Sequence, residues 1–177
     1  MWDLRKCFEL VQHGRLVQEA YHAGYPMDLL RVSMASYSWP RTLLTDSGVA
    51  APALCPTRGI VAGSAFATYE LTAYLIAAMR ALVGEFPQAS ISLHVDDLSY
   101  DVTADDRRSA VRQAVALGQR AIQLVQTELG LPFAPEKAAT LATTRAAQRD
   151  FLSGMGFEPT GAVTQACRLG GDHTLQR

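Results

Sequence analysis

Three shortages narrow what this sequence can be. Cysteine is scarce: Cys7, Cys55 and Cys167 are the only three. They are odd in number, far apart, and lack a C-x-x-C pair. That pattern argues against a disulfide framework and against a zinc site, and it suits a reducing, intracellular setting. Their plain reading is as small apolar side chains. Net charge is nearly absent, −1 at pH 7, from 16 Lys plus Arg against 17 Asp plus Glu. Composition therefore announces no basic face, and any phosphate-binding surface has to be a local patch. Long apolar runs are also missing. The longest, FATYELTAYLIAAM, carries Glu70 and is too short for a bilayer, so no membrane partner is expected. No leader pattern opens the chain, where Asp3 and further charges follow Met1 and Trp2 at once.

What is present is an ordinary globular composition, with 177 residues, 49% of them hydrophobic and 19% charged. A chain of this length buries roughly 70% of the surface its unfolded form exposes. There is no internal repeat, and the proline-bearing stretches near Pro52, Pro56 and Pro132 to Pro135 read as loops within one domain.

A short element over MWDLRKCFE opens the chain. GRLVQEAYHAG then places Leu16, Ala20 and Tyr21 at helical spacing and ends at Gly24, a C-cap signal. PMDLLRVSMASYS starts a helix at Pro26. RTLLTDSGVAAPAL reads as two strands around a turn at Asp46-Ser47-Gly48. A long helix is expected from Gly63, with Phe66, Glu70, Leu71, Tyr74, Leu75, Met79 and Leu82. It is apolar on nearly all sides and so belongs deep in the core. ASISLHV and LSYDV read as paired strands. TADDRRSAVRQAVALGQRAIQLVQTELG is a second long helix, with Val111, Val115, Ile122, Val125 and Leu129 as its buried stripe and Gly130 at its end. EKAATLATT reads as a strand, RAAQRDFLSGMG as a glycine-closed helix, and TQACRLGGDHT as a last strand or hairpin. This order predicts an α+β or split βαβ layout, an antiparallel sheet with helices packed on one face.

The segment SISLHVDDLSYDV poses a chemical question. It alternates like a half-buried strand, yet Asp96 and Asp97 stand side by side at its centre. A tight turn between two strands answers the geometry by putting the acids at a hairpin tip. Adjacent carboxylates repel, and in low dielectric both stay ionised only beside a compensating cation. A hard divalent metal with oxygen ligands, Mg²⁺ or Mn²⁺, fits that need. The third carboxylate such a site needs has a candidate in Asp3. The plainer alternative for the pair is a solvated turn.

Five segments in order resemble the motifs of reverse transcriptases. DLRKCFE is similar to the first palm motif, with Asp3 and the aromatic Phe8 five residues on. RGIVAGSAFATYEL resembles the second, where Gly59, Gly63 and Ser64 match while Ala62 and Ala65 stand in place of the usual Gln and Pro. HVDD resembles the catalytic Tyr-x-Asp-Asp hairpin, with His94 in the tyrosine position. LGLPFAPEKAATLATT is similar to the lysine motif, with Lys137 matching and Ala134 replacing Asn. ACRLGGDH resembles the primer grip at Leu169 and Gly170. The resemblance covers nearly the whole chain and is of retroelement style.

It implies one palm domain over residues 1–177, with motifs near 3–9, 58–71, 90–102, 129–144 and 164–174. The implied fold is the ferredoxin-like polymerase palm. The implied activity is nucleotidyl transfer from deoxynucleoside triphosphates to a primer 3′-hydroxyl on an RNA or DNA template. Two Mg²⁺ or Mn²⁺ ions are implied, held by Asp3, Asp96, Asp97 and the backbone carbonyl of Leu4. Phe8 would select against a 2′-hydroxyl, Gly63 and Ser64 would meet nucleotide or template, Lys137 would approach the triphosphate, and Leu169 and Gly170 would grip the primer. His94 receives no catalytic role. The fingers and thumb of such enzymes have no counterpart here, so a palm fragment with little processive activity is expected. The alternatives are an RNA-templated RNA polymerase palm, against which the bulk of Phe8 argues, a nucleotide-cyclase-like palm, and a non-catalytic ferredoxin-like binding module. Plain readings stand beside the site roles: core packing for Phe8, a helix cap for Gly63-Ser64, and a solvated lysine for Lys137.

Overall fold

The structure is a computed structural model that describes residues 1–42, 44–46, 48, 52–61 and 63–156, together with the backbone of residues 165–168 and 171–174. It is a mixed α+β chain that divides into two compact units where the sequence predicted one domain. One unit comprises Met1–Arg5 with Ala78–Arg177, and the other comprises Lys6–Ala77. No helix among the described residues is long and apolar enough to cross a membrane.

The unit containing both termini is built on a three-stranded antiparallel sheet, order β1-β3-β2, from β1 (Trp2–Asp3), β2 (Ala89–His94) and β3 (Asp97–Val102). Its register separates chemistry by face. Leu93 faces Leu98 and Ile91 faces Tyr100, while Trp2 lies opposite Leu98. On the other parity Ser90 faces Asp101, Ser92 faces Ser99, His94 faces Asp97, and Asp97 faces Asp3. Side chains alternate with a period of two, so one face is apolar and the other carries only polar groups. Trp2 anchors the apolar face, with its ring 6.1 Å from Tyr100 and edge-on to Phe133 at 4.9 Å.

Helix α5 (Arg107–Ala121) backs this sheet, the Tyr100 hydroxyl reaching the Ala114 carbonyl at 3.4 Å. Asp106 caps it by accepting from the Ser109 N–H at 3.0 Å. Helix α6 (Arg145–Met155) packs against α5; Thr144 caps it at one end and left-handed Gly156 closes the other. Two glycines set how closely these layers approach. A Cβ on Gly118 would stand 2.8 Å from the Tyr100 hydroxyl and 2.9 Å from Met155 sulfur, and one on Gly154 would stand 2.7 Å from a Val115 methyl.

The long helix predicted over 103–130 is not α throughout. From Ile122 to Glu128 it widens into a π-helix, with the Leu129 N–H reaching back to the Leu124 carbonyl. Leu117, Ala121, Leu124, Val125 and Leu129 are buried, whereas Val111, Val115 and Ile122 of the expected stripe are only half-buried. The strand expected over EKAATLATT is instead a 3-10 turn at Pro135–Lys137. Pro132 and Pro135 lack the N–H groups a ladder needs. The segment nevertheless lies along β1 through separate bonds: Arg5 N–H to Pro132 O, Ala134 N–H to Asp3 O, and Ala139 N–H to Met1 O. The last hairpin is present as β4 (Gln165–Arg168) paired with β5 (Gly171–Thr174).

The other unit is helical: α1 (Cys7–Leu10), α2 (His13–His22), α3 (Met27–Tyr37) and the first part of α4 (Ala67–Glu85). Leu16 and Ala20 of α2 are buried as predicted, but Tyr21 is exposed, one position round the helix from Ala20. Helix α4 begins at Ala67, later than Gly63, and only one side of it is buried. Leu71, Tyr74, Leu75 and Leu82 are inside, while Tyr69, Thr72, Arg80 and Val83 are exposed and Phe66 is exposed just before it. Of the hairpin expected over 41–54, the described residues show an antiparallel bridge between Arg41 and Leu54, and residues 43, 47 and 49–51 lie outside the described residues.

Candidate functional site

Two segments of the terminal unit bring their acids to one place, and a third brings a lysine. β1 carries Asp3, and its antiparallel partner in β3 is Asp97, directly opposite. Opposed residues of an antiparallel pair project to the same face with Cβ atoms about 5 Å apart. Asp96 occupies the two-residue turn between β2 and β3, and its carbonyl accepts from the Leu4 N–H at 3.0 Å. That bond ties the chain just after Asp3 to the acidic turn. The turn is strained: Val95, a β-branched residue, holds a φ of 56°.

The third segment is the 3-10 turn. Lys137 extends its ammonium to Asp3 Oδ2 at 2.6 Å, the side chain of Asp3 being 17% exposed and that of Lys137 65%. Asp3 Oδ2 is enclosed and makes no well-angled hydrogen bond, so this ion pair is its compensation. The turn is steadied from the other side by Arg5, whose guanidinium donates to both Glu136 oxygens at 2.7 and 2.8 Å. This exposed pair contributes little stability, but it holds the residue next to Lys137.

The electrostatics follow the geometry. Burial raises the pKa of Asp96 most. Its own backbone N–H pulls the value down, the carboxylates of Asp3 and Asp97 push it up, and Lys137 partly offsets them. The hydrogen bond and charge of Asp3 raise the pKa of Lys137, so it holds its proton more firmly than a free lysine and is a poorer acid while paired. A raised aspartate pKa means the folded state binds a proton more readily than the unfolded chain. The penalty is absent below the ordinary carboxylate range and grows as pH rises through the raised value. Asp96→Asn is therefore expected to raise the melting temperature at pH 7 by a few degrees and to leave it unchanged near pH 3. Thermal melts of both proteins across that range check this, and equal melting points at pH 7 would contradict it.

Asp3, Asp96, Asp97 and Lys137 thus meet in one cluster, with Leu4 buried beside it. Among the described residues no three His, Cys, Asp or Glu side chains gather closely enough to hold a metal ion. The donor chemistry still suits a hard divalent cation, because Asp3 and Asp96 offer only oxygens and raise each other's energy in the way such an ion relieves. In this arrangement the positive charge comes from Lys137.

Phe8, Gly63 and Ser64 belong to the helical unit. There the second motif runs along α1: Ile60 N–H donates to Phe8 O at 2.8 Å and Gly59 N–H to Val11 O at 2.7 Å. Gly59 has φ 89°, and a Cβ on it would lie 3.1 Å from the Glu9 carbonyl, so glycine is required there. Gly63 has open space around its Cβ position. Ser64 does not start α4 as expected; its hydroxyl accepts from Phe66 N–H at 3.4 Å, in the turn before the helix. Phe8 is half-buried. Leu169 and Gly170 lie outside the described residues.

Residue-by-residue reading missed two polar pairs and one strained residue. Tyr37 donates to the fully buried Glu70 at 2.6 Å, and the only hint was one acid in an apolar run. The strained Val95 left no signal, since valine is a strand former. Arg5 and Glu136 are 131 positions apart and carried none. No family model matches the chain, and neither a curated protein nor a solved structure matches it.

Proposed function

We propose that this chain is the palm of an RNA-directed DNA polymerase of retroelement type, a ferredoxin-like domain that transfers deoxynucleotides to a primer 3′-hydroxyl on an RNA or DNA template. The observation that carries the reading is the convergence of Asp3 with the acidic turn at Asp96-Asp97, on the polar face of a sheet whose other face is backed by helices. Acids brought together from separate segments, at the cost of a raised Asp96 pKa and a strained Val95, are characteristic of a functional cluster.

In the reaction the primer oxygen bonds to the α-phosphorus as the bond to pyrophosphate breaks, and the hydroxyl proton departs. Asp3 and Asp96 would hold the Mg²⁺ or Mn²⁺ ions, with Asp97 and the Leu4 carbonyl as further oxygens. When bound, such ions acidify the attacking hydroxyl and neutralise charge on the leaving oxygens. Lys137 acts as a mobile positive charge. It neutralises Asp3 in the resting chain, and its mostly exposed stem lets it turn to a triphosphate once another cation takes Asp3. The resemblance would give Phe8 the exclusion of a 2′-hydroxyl and Gly63 and Ser64 the contact with nucleotide or template; all three belong to the helical unit.

One observation favours a second reading. An ammonium already seated on Asp3 compensates that carboxylate without a metal, as a non-catalytic ferredoxin-like module would have it. Calorimetry with Mn²⁺, with and without a deoxynucleoside triphosphate, separates the two. The polymerase reading expects binding that needs the nucleotide and disappears in Asp96→Ala. Absence of binding in either protein would leave the non-catalytic module.

A further inference from the structure

We propose that the groove between α5 and α6 is a binding site for a compact organic anion, an aromatic or branched aliphatic body bearing one carboxylate, phosphate or sulfonate. It shares no residue with the acidic cluster and does not depend on the polymerase reading. The groove has a volume of about 440 Å³, within the range of small-molecule sites, roughly 300–1,000 Å³. Its lining divides by chemistry. Val111, Val115 and Ala116 form an apolar floor, and Arg108 and Arg112 stand on α5 at i and i+4, a spacing that aligns side chains on one face.

The charges around it leave this arginine pair available. Among the described residues neither guanidinium lies within ion-pair distance of a carboxylate. The groove's one acid, Asp150 on α6, is engaged by Arg107 at 3.5 Å. The cap residue Asp106 feels Arg112, but its carboxylate is committed to the Ser109 N–H. Two exposed guanidiniums over an apolar floor match a ligand with an acid at one end and a hydrocarbon body at the other. Planar nitrogen forks chelate carboxylate or phosphate oxygens, and the floor covers the body. Gly154 sharpens the fit, because the absence of a side chain there lets α6 come against Val115 and closes the groove's floor. The valines expected from helical periodicity to fill the core line this groove instead, since the inward face of α5 passes to Leu117, Gly118 and Ala121.

The test uses anilinonaphthalene sulfonate as the amphiphilic anion and phenylnaphthylamine as its uncharged counterpart, each titrated into the full chain by fluorescence. Saturable binding of the sulfonate is expected, with the uncharged compound about tenfold weaker or more. The double variant Arg108→Gln/Arg112→Gln should lose about tenfold in affinity, the scale of one charge-assisted contact. Ala116→Trp, which fills the groove without altering charge, should remove the same saturable phase. All three positions are exposed on a helix surface, and unchanged thermal melts confirm that the variants fold. Equal sulfonate affinity in wild type and the arginine variant, or equal binding of the uncharged compound, would overturn the proposal.

Discussion

Replacing Lys137 with methionine is expected to tighten Mn²⁺ binding about tenfold in the presence of a deoxynucleoside triphosphate, and Asp3→Asn is expected to remove that binding. The ammonium sits 2.6 Å from Asp3 Oδ2 and competes with any metal for the same oxygen. Methionine keeps the length of the stem and deletes the charge. Because Asp3 raises the Lys137 pKa, the competing charge persists through neutral and mildly alkaline pH. It is therefore present over the whole pH range in which Mn²⁺ stays in solution. Asp3→Asn removes the anionic oxygen and also frees Lys137, so a metal at Asp96 would then face an uncompensated cation. Calorimetric titrations of the three proteins decide the matter. Identical Mn²⁺ affinity in wild type and Lys137→Met would show that Asp3 does not ligate the metal. Retained affinity in Asp3→Asn would move the binding site away from this cluster altogether.

The second large effect is on stability. Tyr37→Phe is expected to cost about 2–3 kcal/mol, the penalty for stripping a buried polar group of its partner, or roughly 5–10 °C in melting temperature for a chain of this size. Glu70 is fully buried in α4. One of its oxygens accepts from the Tyr37 hydroxyl at 2.6 Å, and the other has no hydrogen-bond partner among the described residues. Without the tyrosine hydroxyl, the first oxygen loses its partner as well. The double variant Tyr37→Phe/Glu70→Leu should regain most of the loss, since replacing both members of a buried polar pair costs less than breaking it. Burial first, and then the bond to Glu70, push the Tyr37 pKa up to about 12. The sign follows: the contribution of Tyr37 is complete below the ordinary phenol range near 10 and is lost as pH rises toward about 12. Tyr37→Phe should therefore show a shallower alkaline fall in stability. Denaturant unfolding of the three proteins measures the cycle, and a double variant no more stable than the single would refute the pairing.

The clearest legible element was the acidic hairpin. Ser90, Ser92 and His94 alternate with Ile91 and Leu93, and Asp97, Ser99 and Asp101 alternate with Leu98 and Tyr100. A strand's two-residue period excludes the one-residue slips that would send the apolar groups to the polar face, and the two-residue turn at Val95-Asp96 fixes the rest of the register. Helix ends were also local matters, as at Gly24 and Gly156, where a left-handed residue stops the helix. The acid cluster was legible in part, because a like-charged pair demands compensation whatever the fold.

What compensates it was not legible. Lys137 lies 134 positions from Asp3, and its approach depends on two prolines turning an expected strand into a 3-10 turn beside β1. Tyr37 meets Glu70 across 33 positions for the same reason: sequence spacing specifies neighbours within an element and says nothing of partners between elements. The buried stripe of the α5 segment was misplaced in its first half, because which face of a regular helix turns inward is set by what packs on it, and here Leu117, Gly118 and Ala121 take that place from Val111 and Val115. The sequence by itself determined which face of each strand is polar, where most helices end, and that Asp96 and Asp97 needed a positive partner. Only the tertiary structure decided that Lys137 pairs with Asp3, that Asp3 stands opposite Asp97, and that two displaced valines line a groove under an arginine pair. Those outcomes depend on how separate segments pack, which local propensity does not encode.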